Sequence, residues 1–404
     1  MTKARILADL GSVPATLTAT ELGYSDGVTS AVQTQLTAKA PLASPTFTGT
    51  TTVSGDLVPS TALSHRNIII NGGMQVWQRG TALATTGNGA YRADRWKNGH
   101  DITGTIQNAS ETLSTADFNT TGHKTALVVS CSATDTSVIA GHQVVIAQWI
   151  EAQDVQHLQY GTANAQDLVV SFWAKADSAA TYAVSLTKPN NTAYAIAKEF
   201  TVSTSWQQFT ITFGSSDANW ATTIQTAGGL MDNNTAVGLV LGFTLACGGT
   251  FELTSGSWTS TVFTPGYGTS NVANFADATS RKFHLTGVQL ELGSNATPFE
   301  HRSYAEEAQR CYRYYWEDGV VQVNDTLSFL PPIHGAHSGT QEYRRYFYYY
   351  PIPMRANPTV AATGSYSISI NNPANPVYAH CASDQGGDEG EWVNLYSITA
   401  NAEL

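Results

Sequence analysis

Charge is what this chain has least of. Of its 404 residues only 13% are Asp, Glu, Lys or Arg, about half of the roughly 25% usual in globular proteins. What charge exists is acidic, 31 carboxylates against 20 Lys and Arg, for a net of −11. Without a basic stripe, recognition led by phosphates has no footprint, and nucleic acid is not an expected partner. Long apolar runs are missing as well; none reaches the about 18 residues of a spanning helix, so membrane insertion is not expected. The opening MTKARILADLGSV lacks the apolar stretch of a secretory signal. Cysteine is scarce: Cys131, Cys247, Cys311 and Cys381 stand far apart with no Cys-x-x-Cys pair, which leaves out zinc ribbons and thioredoxin-like sites. Three disulfide pairings are arithmetically open, and isolated buried thiols are the expected state. No Gly-x-Ser-x-Gly, Walker or dinucleotide pattern occurs either, so neither an enzyme nor a cofactor is expected.

Polar character comes from Thr, Ser, Asn and Gln, punctuated by 34 glycines. β-branched residues suit a pleated surface and glycine suits turns, so the expectation is a mainly β protein. A composition suited to life outside the cell, with no export signal, is that of a part released by lysis, exposed on a virion.

Residues 1–65 differ from the rest in being small, Thr/Ala/Pro-rich and free of tryptophan. Val28, Val32 and either Gln35 or Leu36 fall at helical spacing, with Asp26 placed as an N-cap. Such a short helix is marginal alone and is expected to pack on copies of itself around an axis, as a stalk. The stretch LTATELGYSDGVTSAVQTQLTAKAPLASPTFTGT, roughly residues 16–50, resembles a segment widespread in bacteriophage tail-fibre and tail-collar proteins. That resemblance implies a homotrimeric appendage whose N-terminus attaches to a phage tail or adaptor protein.

From 66 to about 300 the pattern is all-β. QDLVVSFWAKAD alternates Val169, Ser171, Trp173 and Lys175 against Val170, Phe172 and Ala174. TYAVSLTKPNNTAYAIAKEFTV reads as two strands around a Pro-Asn-Asn turn. SWQQFTITF, TAVGLVLGFTLAC and KFHLTGVQLELG complete a set suited to a sandwich. The opening RNIIINGG with Asn71, Gly72 and Gly73, the central SFWAKA and the closing LTGVQLELG resemble, in this order, the jelly-roll carbohydrate-binding modules. The opening stretch is then the first strand, ending in a bend that needs glycine freedom.

Residues 301–316 read as a helical connector: Tyr304, Ala308, Cys311 and Tyr315 share one spacing, and Glu306 and Glu307 precede Arg310 and Arg313 on a solvated face. Residues 317–404 return to β as a small tip domain, and PIPMRANPTV with the terminal SITANAEL again resembles the distal ends of tail fibres.

Candidate site residues fall in three groups. Trp77, Arg79 and Trp96 offer a stacked plate for a sugar ring, with burial in the core as the equal alternative. In EYRRYFYYYP a strand places Arg344, Tyr346, Tyr348 and Tyr350 on one face; both faces cannot be buried in so small a domain. One is therefore a trimer interface or a receptor surface, joined by Trp316 and Trp392. His334 and His337 are too few for a metal shell unless copies meet on an axis, so no metal is expected. Asp94 is expected to neutralise Arg92 and Arg95. Asp384, Asp388, Glu389 and Glu391 make a solvated acidic loop rather than the spaced carboxylate pair of a glycosidase. The sequence-level reading is thus a trimeric tail fibre binding a cell-surface glycan. The alternatives are a purely structural tail adaptor and a polysaccharide depolymerase.

Overall fold

Period-two alternation decides most of the architecture. The computed structural model describes residues 65–262, 264, 266–319, 333–334, 341–364, 368–371, 378–386 and 395–404. The chain divides into two units, Met1–Ser60 and Thr61–Leu404, and the second holds every described residue. Val28, Val32 and Leu36 of the expected stalk lie outside the described residues, as do His337, Trp392, Asp388, Glu389 and Glu391. The side chains of His334, Arg344, Tyr346 and Tyr348 lie outside them too.

Strands β1 (Ala84–Thr85), β2 (Lys97–His100), β3 (Thr105–Thr112), β4 (Thr125–Ala133), β5 (Gln143–Glu151) and β6 (Leu168–Ala176) come first, with helix α1 (Thr115–Thr121) between β3 and β4. Next come β7 (Ala180–Lys188), β8 (Tyr194–Val202), β9 (Gln207–Phe213), a short helix α2 (Trp220–Thr223), β10 (Val237–Cys247), β11 (Thr259–Ser260) and β12 (Lys282–Leu292). They form two six-stranded sheets, ordered β1-β3-β4-β12-β6-β9 and β11-β8-β7-β10-β5-β2. Every pairing is antiparallel.

Alternate residues of the strands meet between the sheets. Leu168, Val170, Phe172 and Ala174 of β6 face Val184 and Leu186 of β7 and Leu241 and Phe243 of β10 across one continuous core. Phe172 lies 5.0 Å from Phe200 and 4.9 Å from Phe243, ring centre to ring centre, bridging the sheets. Burying each such ring contributes roughly 2–3 kcal/mol. In β12 the parity slips at a bulge between Thr286 and Gln289, so Leu285 and Val288, three apart, both point inward. The Pro-Asn-Asn turn is the β7–β8 hairpin, with Thr187 paired to Ala195 and Asn191 at φ 53°. The chain is therefore a β-sandwich.

The opening stretch is not a strand. Ile68 N–H reaches Leu290 O at 2.8 Å and Val288 N–H reaches Gly72 O at 2.9 Å, so residues 67–72 run beside β12 where its pairing with β4, which covers Lys282–Leu285, has ended. Asn67 makes part of this contact through its side chain, accepting from Leu290 N–H at 3.1 Å, and regular ladder pairing is lost. The left-handed positions of the bend are Asn71 (φ 57°) and Met74 (φ 53°), not the glycines. Gly72 is required for another reason: a Cβ there would sit 2.0 Å from Val288 O.

Helix α3 (Tyr304–Tyr312) forms where the connector was expected, capped by Ser303 Oγ, which accepts from Glu306 N–H. Its role differs from a connector's. Ala308 and Cys311 pack on Val76 of the sandwich unit, while Tyr304 is exposed and Tyr315 falls on the next strand. Glu307 is buried, accepting from Asn71 N–H and pairing with Arg302, and Arg313 pairs with the buried Glu151 at 2.9 Å. Only Glu306–Arg310 is the expected surface pair, at 3.1 Å. Docking on the sandwich has taken over one face of the helix.

Beyond it lie β13 (Tyr315–Gly319), β14 (Ile333–His334), β15 (Gln341–Tyr349), β16 (Thr359–Gly364), β17 (Ile368–Asn371), β18 (Tyr378–Gly386) and β19 (Leu395–Asn401). They make a three-stranded sheet β13-β19-β16 and a four-stranded sheet β14-β15-β18-β17. Asp384, expected in a loop, is on β18. Trp316 and Tyr350, expected at a trimer interface or on a receptor surface, are buried within the chain, 5.5 Å apart and edge-on, with Met354 and Ala400. A sheet this small has few other side chains from which to build a core.

Candidate functional site

The plate predicted from Trp77, Arg79 and Trp96 does not form. Trp96 is 1% exposed, 6.1 Å from Phe243 in the core, and its Nε1 donates to Asn71 O. Trp77 packs half-buried against the same core, with Nε1 donating to Met74 O at 2.7 Å. Arg79 is covered: its guanidinium lies 3.5 Å from the Tyr315 ring centre and 3.2 Å from both Asp94 and Glu403. The two tryptophans are spent on the sandwich core and Arg79 on joining the sandwich to the C-terminal segment, so the three form no shared plate.

Asp94 neutralises Arg79, not its chain neighbours. Arg92 donates to the carbonyls of Arg79 and Ala82, and Arg95 pairs with Glu403. Burial, opposed by Arg79 and by Gln78 N–H, pushes the Asp94 carboxyl up from 3.8 to about 6. A carboxyl that holds its proton more tightly when folded contributes stability that is full below 3.8 and is lost as pH rises through about 6. Urea midpoints followed from pH 4 to pH 7 should therefore fall in the native chain relative to Asp94→Asn. Parallel curves for the two proteins would overturn this account.

Each of the sandwich's two outer faces is partly covered. On the second sheet Tyr267, 1% exposed, lies over Ala195 and Ala197. Its N–H donates to Ser185 Oγ and its carbonyl accepts from Thr244 Oγ1. On the first sheet Trp206 is buried with Leu113 and Ala126, with Trp173 packed alongside. Polar side chains there engage one another: His284 lies 2.6 Å from Glu111 and 3.5 Å from Asp177, and Lys175 3.9 Å from Asp117.

An open concavity lies among loops, between the β5–β6 and β9–β10 connections. The β5–β6 connection begins with a 3-10 turn, Ala152–Leu158, whose Val155 and Leu158 anchor in the core. That anchoring turns Gln156 and Gln159 outward, and Gln159 ends the turn at φ 52°. Gly161 N–H then bonds Ile224 O in the β9–β10 connection at 2.8 Å. A Cβ at Gly161, which has φ 90°, would come within 2.7 Å of Leu230 Cα, so only glycine permits this approach. Between the two connections is a cavity of about 300 Å³. Tyr160 and Met231 are its buried lining, Leu230 an apolar wall 50% exposed. Gln156, Gln159, Thr162 and Asn164 supply exposed amides and a hydroxyl.

No charged side chain lines this cavity among the described residues. Gln156 Nε2 is committed to Ala152 O and Asp232 O, both at 2.8 Å. No hydrogen bond holds the side-chain amides of Gln159 or Asn164 among the described residues, so both offer a donor and an acceptor to a ligand. Tyr160 is edge-on to Trp220 at 5.5 Å, and burial raises its hydroxyl pKa far above the ordinary value, so it stays protonated. Uncharged donors and acceptors beside an apolar wall suit a small neutral, polyhydroxylated ligand. Residues 156–164 carried no signal that sequence reasoning used; the turn-rich QYGTAN between two apolar strands is the only one there.

No protein-family model matches the chain, and no curated protein matches it. Solved structures similar to it include a CBM4 module, 15% identical, covering 55% of this chain and 98% of that one at a TM-score of 0.26. Another is a family 11 carbohydrate-binding module from Clostridium thermocellum in complex with a β-1,3-1,4-mixed-linked tetrasaccharide, at 11%, 55%, 99% and 0.26. A third is the CBM22-1 xylan-binding domain from Paenibacillus barcinonensis, at 8%, 57%, 96% and 0.25. At such values the likeness adds nothing to the strand order, on which the sandwich assignment rests.

Proposed function

We propose that this protein is a receptor-binding fibre of a bacteriophage tail, exposed on the virion, and that it holds a neutral cell-surface glycan in the loop-end cavity. The observation that carries the glycan reading is the lining of that cavity: the open amides of Gln159 and Asn164 and one half-exposed leucine, with no charge among the described residues. The fibre part of the reading is supported by the resemblance of residues 16–50 to tail-fibre segments. A homotrimer would multiply a weak site, since three sites on one body raise avidity by about 10²–10⁴ without new contacts. Binding proceeds without cleavage in this proposal, and incubation with host polysaccharide should release no reducing ends.

The test is a glycan array followed by titration calorimetry with the best oligosaccharide. Leu230→Asp puts a charge in the apolar wall and should weaken binding at least about tenfold, or ~1.4 kcal/mol. Because Leu230 is half exposed, the melting temperature should stay within a degree or two, about what a surface change produces. Unchanged affinity in this variant would remove the cavity from the proposal. Adsorption of whole particles carrying it distinguishes a receptor fibre, which should adsorb less, from an adaptor, which should not.

A further inference from the structure

Lys188 ends β7 and is fully buried, 0% exposed, with no ion pair among the described residues. Burying an ammonium without a counter-ion is costly unless every proton is bonded. Here each of the three has a carbonyl: Asn190 O in the β7–β8 hairpin, Gly228 O at 2.9 Å and Leu230 O at 3.2 Å. No neutral side chain of this length carries three donors. The same two segments are tied again by Asn191 Nδ2 to Leu230 O at 2.6 Å and by Thr192 N–H to Gly228 O at 3.4 Å. Leu230 is the apolar wall of the loop-end cavity, and its backbone is pressed against Gly161 on the opposite loop.

We infer that Lys188 is the positioning residue of this cavity, an internal cation that gathers three carbonyls from two loops and so holds the Leu230 wall in place for ligand. This assignment rests on the reading of the cavity as the glycan site. Charge is the working part. A neutral amine has two protons and a lone pair, so one of the three carbonyls would lose its donor and face that lone pair instead. Around the ammonium, Asp232 is the nearby carboxylate, accepting from Asn190 Nδ2 at 3.2 Å, and the Tyr194 ring centre lies 5.7 Å from Nζ. Burial lowers the ammonium from 10.5 to about 8, with Asp232 opposing. Two trends of opposite sign result. As pH rises through about 8 the wall loosens, while the penalty for burying the charge is relieved, so this group's effect on global stability improves between 8 and 10.5.

Amide hydrogen exchange of residues 226–232 in the full chain, corrected for intrinsic base catalysis, reads the wall directly. In the native chain, exchange there should rise about tenfold between pH 7 and pH 9, the equivalent of one lost buried bond, while β7 and β10 stay protected. Lys188→Met should show the faster exchange at pH 7 with no further pH step. Affinity for the oligosaccharide chosen above should fall with the same profile in the native chain and be low and flat in the variant. Equal wall protection in the two proteins at pH 7, or a pH step that persists in Lys188→Met, would overturn the assignment. Should the variant not fold, the pH step in the native chain alone decides. If no oligosaccharide binds while the exchange pattern holds, the positioning role stands and the glycan reading falls.

Discussion

Asn71→Ala should unfold this protein more readily than any other single polar substitution in the sandwich, at a cost on the order of 5 kcal/mol. The side chain of Asn71 is fully buried. Its Nδ2 donates to Val76 O at 2.9 Å and Asp94 O at 3.0 Å, and its Oδ1 accepts from Gln75 N–H at 2.8 Å and Val76 N–H at 3.0 Å. Alanine removes that partner from all four groups; Val76 O keeps Asp94 N–H at 3.1 Å, but Val76 N–H and Asp94 O become buried orphans at about 1–3 kcal/mol each. It must also adopt φ 57°, a conformation that disfavours a Cβ by roughly 1–2 kcal/mol. Asn71→Gly relieves the backbone but not the orphans and should recover only that smaller part. Guanidinium unfolding separates the three proteins; a shift below about 1 kcal/mol for alanine would show that water replaces the amide.

The second large effect is expected at Glu403. Its carboxylate takes Arg79 at 3.2 Å and pairs with Arg95, which is 1% exposed and lies 3.4 Å over the Tyr314 ring centre. Removing the partner of a buried charge is more damaging than never having had the pair, so Glu403→Ala should cost about 3–5 kcal/mol. Arg95 keeps a bond to Trp149 O, which is not enough to offset a lost carboxylate. The double change Arg95→Met with Glu403→Ala should restore much of the loss, and the cycle of four proteins measures the coupling. Additive single losses would mean that the pair does not hold the C-terminal sheet to the sandwich. Glu403 also raises the Asp94 pKa, so its loss should shift the pH dependence of stability towards lower pH.

The Glu403 pairs join residues far apart in the chain, and this is where sequence reading stopped. The β6 and β7 strands were legible because alternation is local: Val170, Phe172 and Ala174 separate from Val169, Ser171 and Trp173 within a few positions, and the structure turns the first set inward. The β7–β8 hairpin was legible because Pro189 and the two asparagines turn the chain at once. Asn71 looked like part of a glycine bend, and its four side-chain bonds go to Gln75, to Val76 twice and to Asp94, 23 residues away. Arg79 looked like a stacking arginine because Glu403, 324 residues on, could not be placed beside it. The helix at 304–312 was read from spacing, but the burial of Glu307 was not, since it reflects Asn71 N–H, 236 residues earlier.

The amino-acid sequence by itself determined the mainly β class and the alternation of strands such as β6 and β9, because side-chain direction in a strand repeats every second residue. Tertiary structure alone decided which aromatic and charged residues are spent on joining the sandwich to the C-terminal sheet. It also decided where a cavity opens. The site at Gln159, Asn164 and Leu230 exists because Gly161 lets two loops, joined through different strands, come into contact. Steric contact between distant segments has no period, so no local pattern announces it.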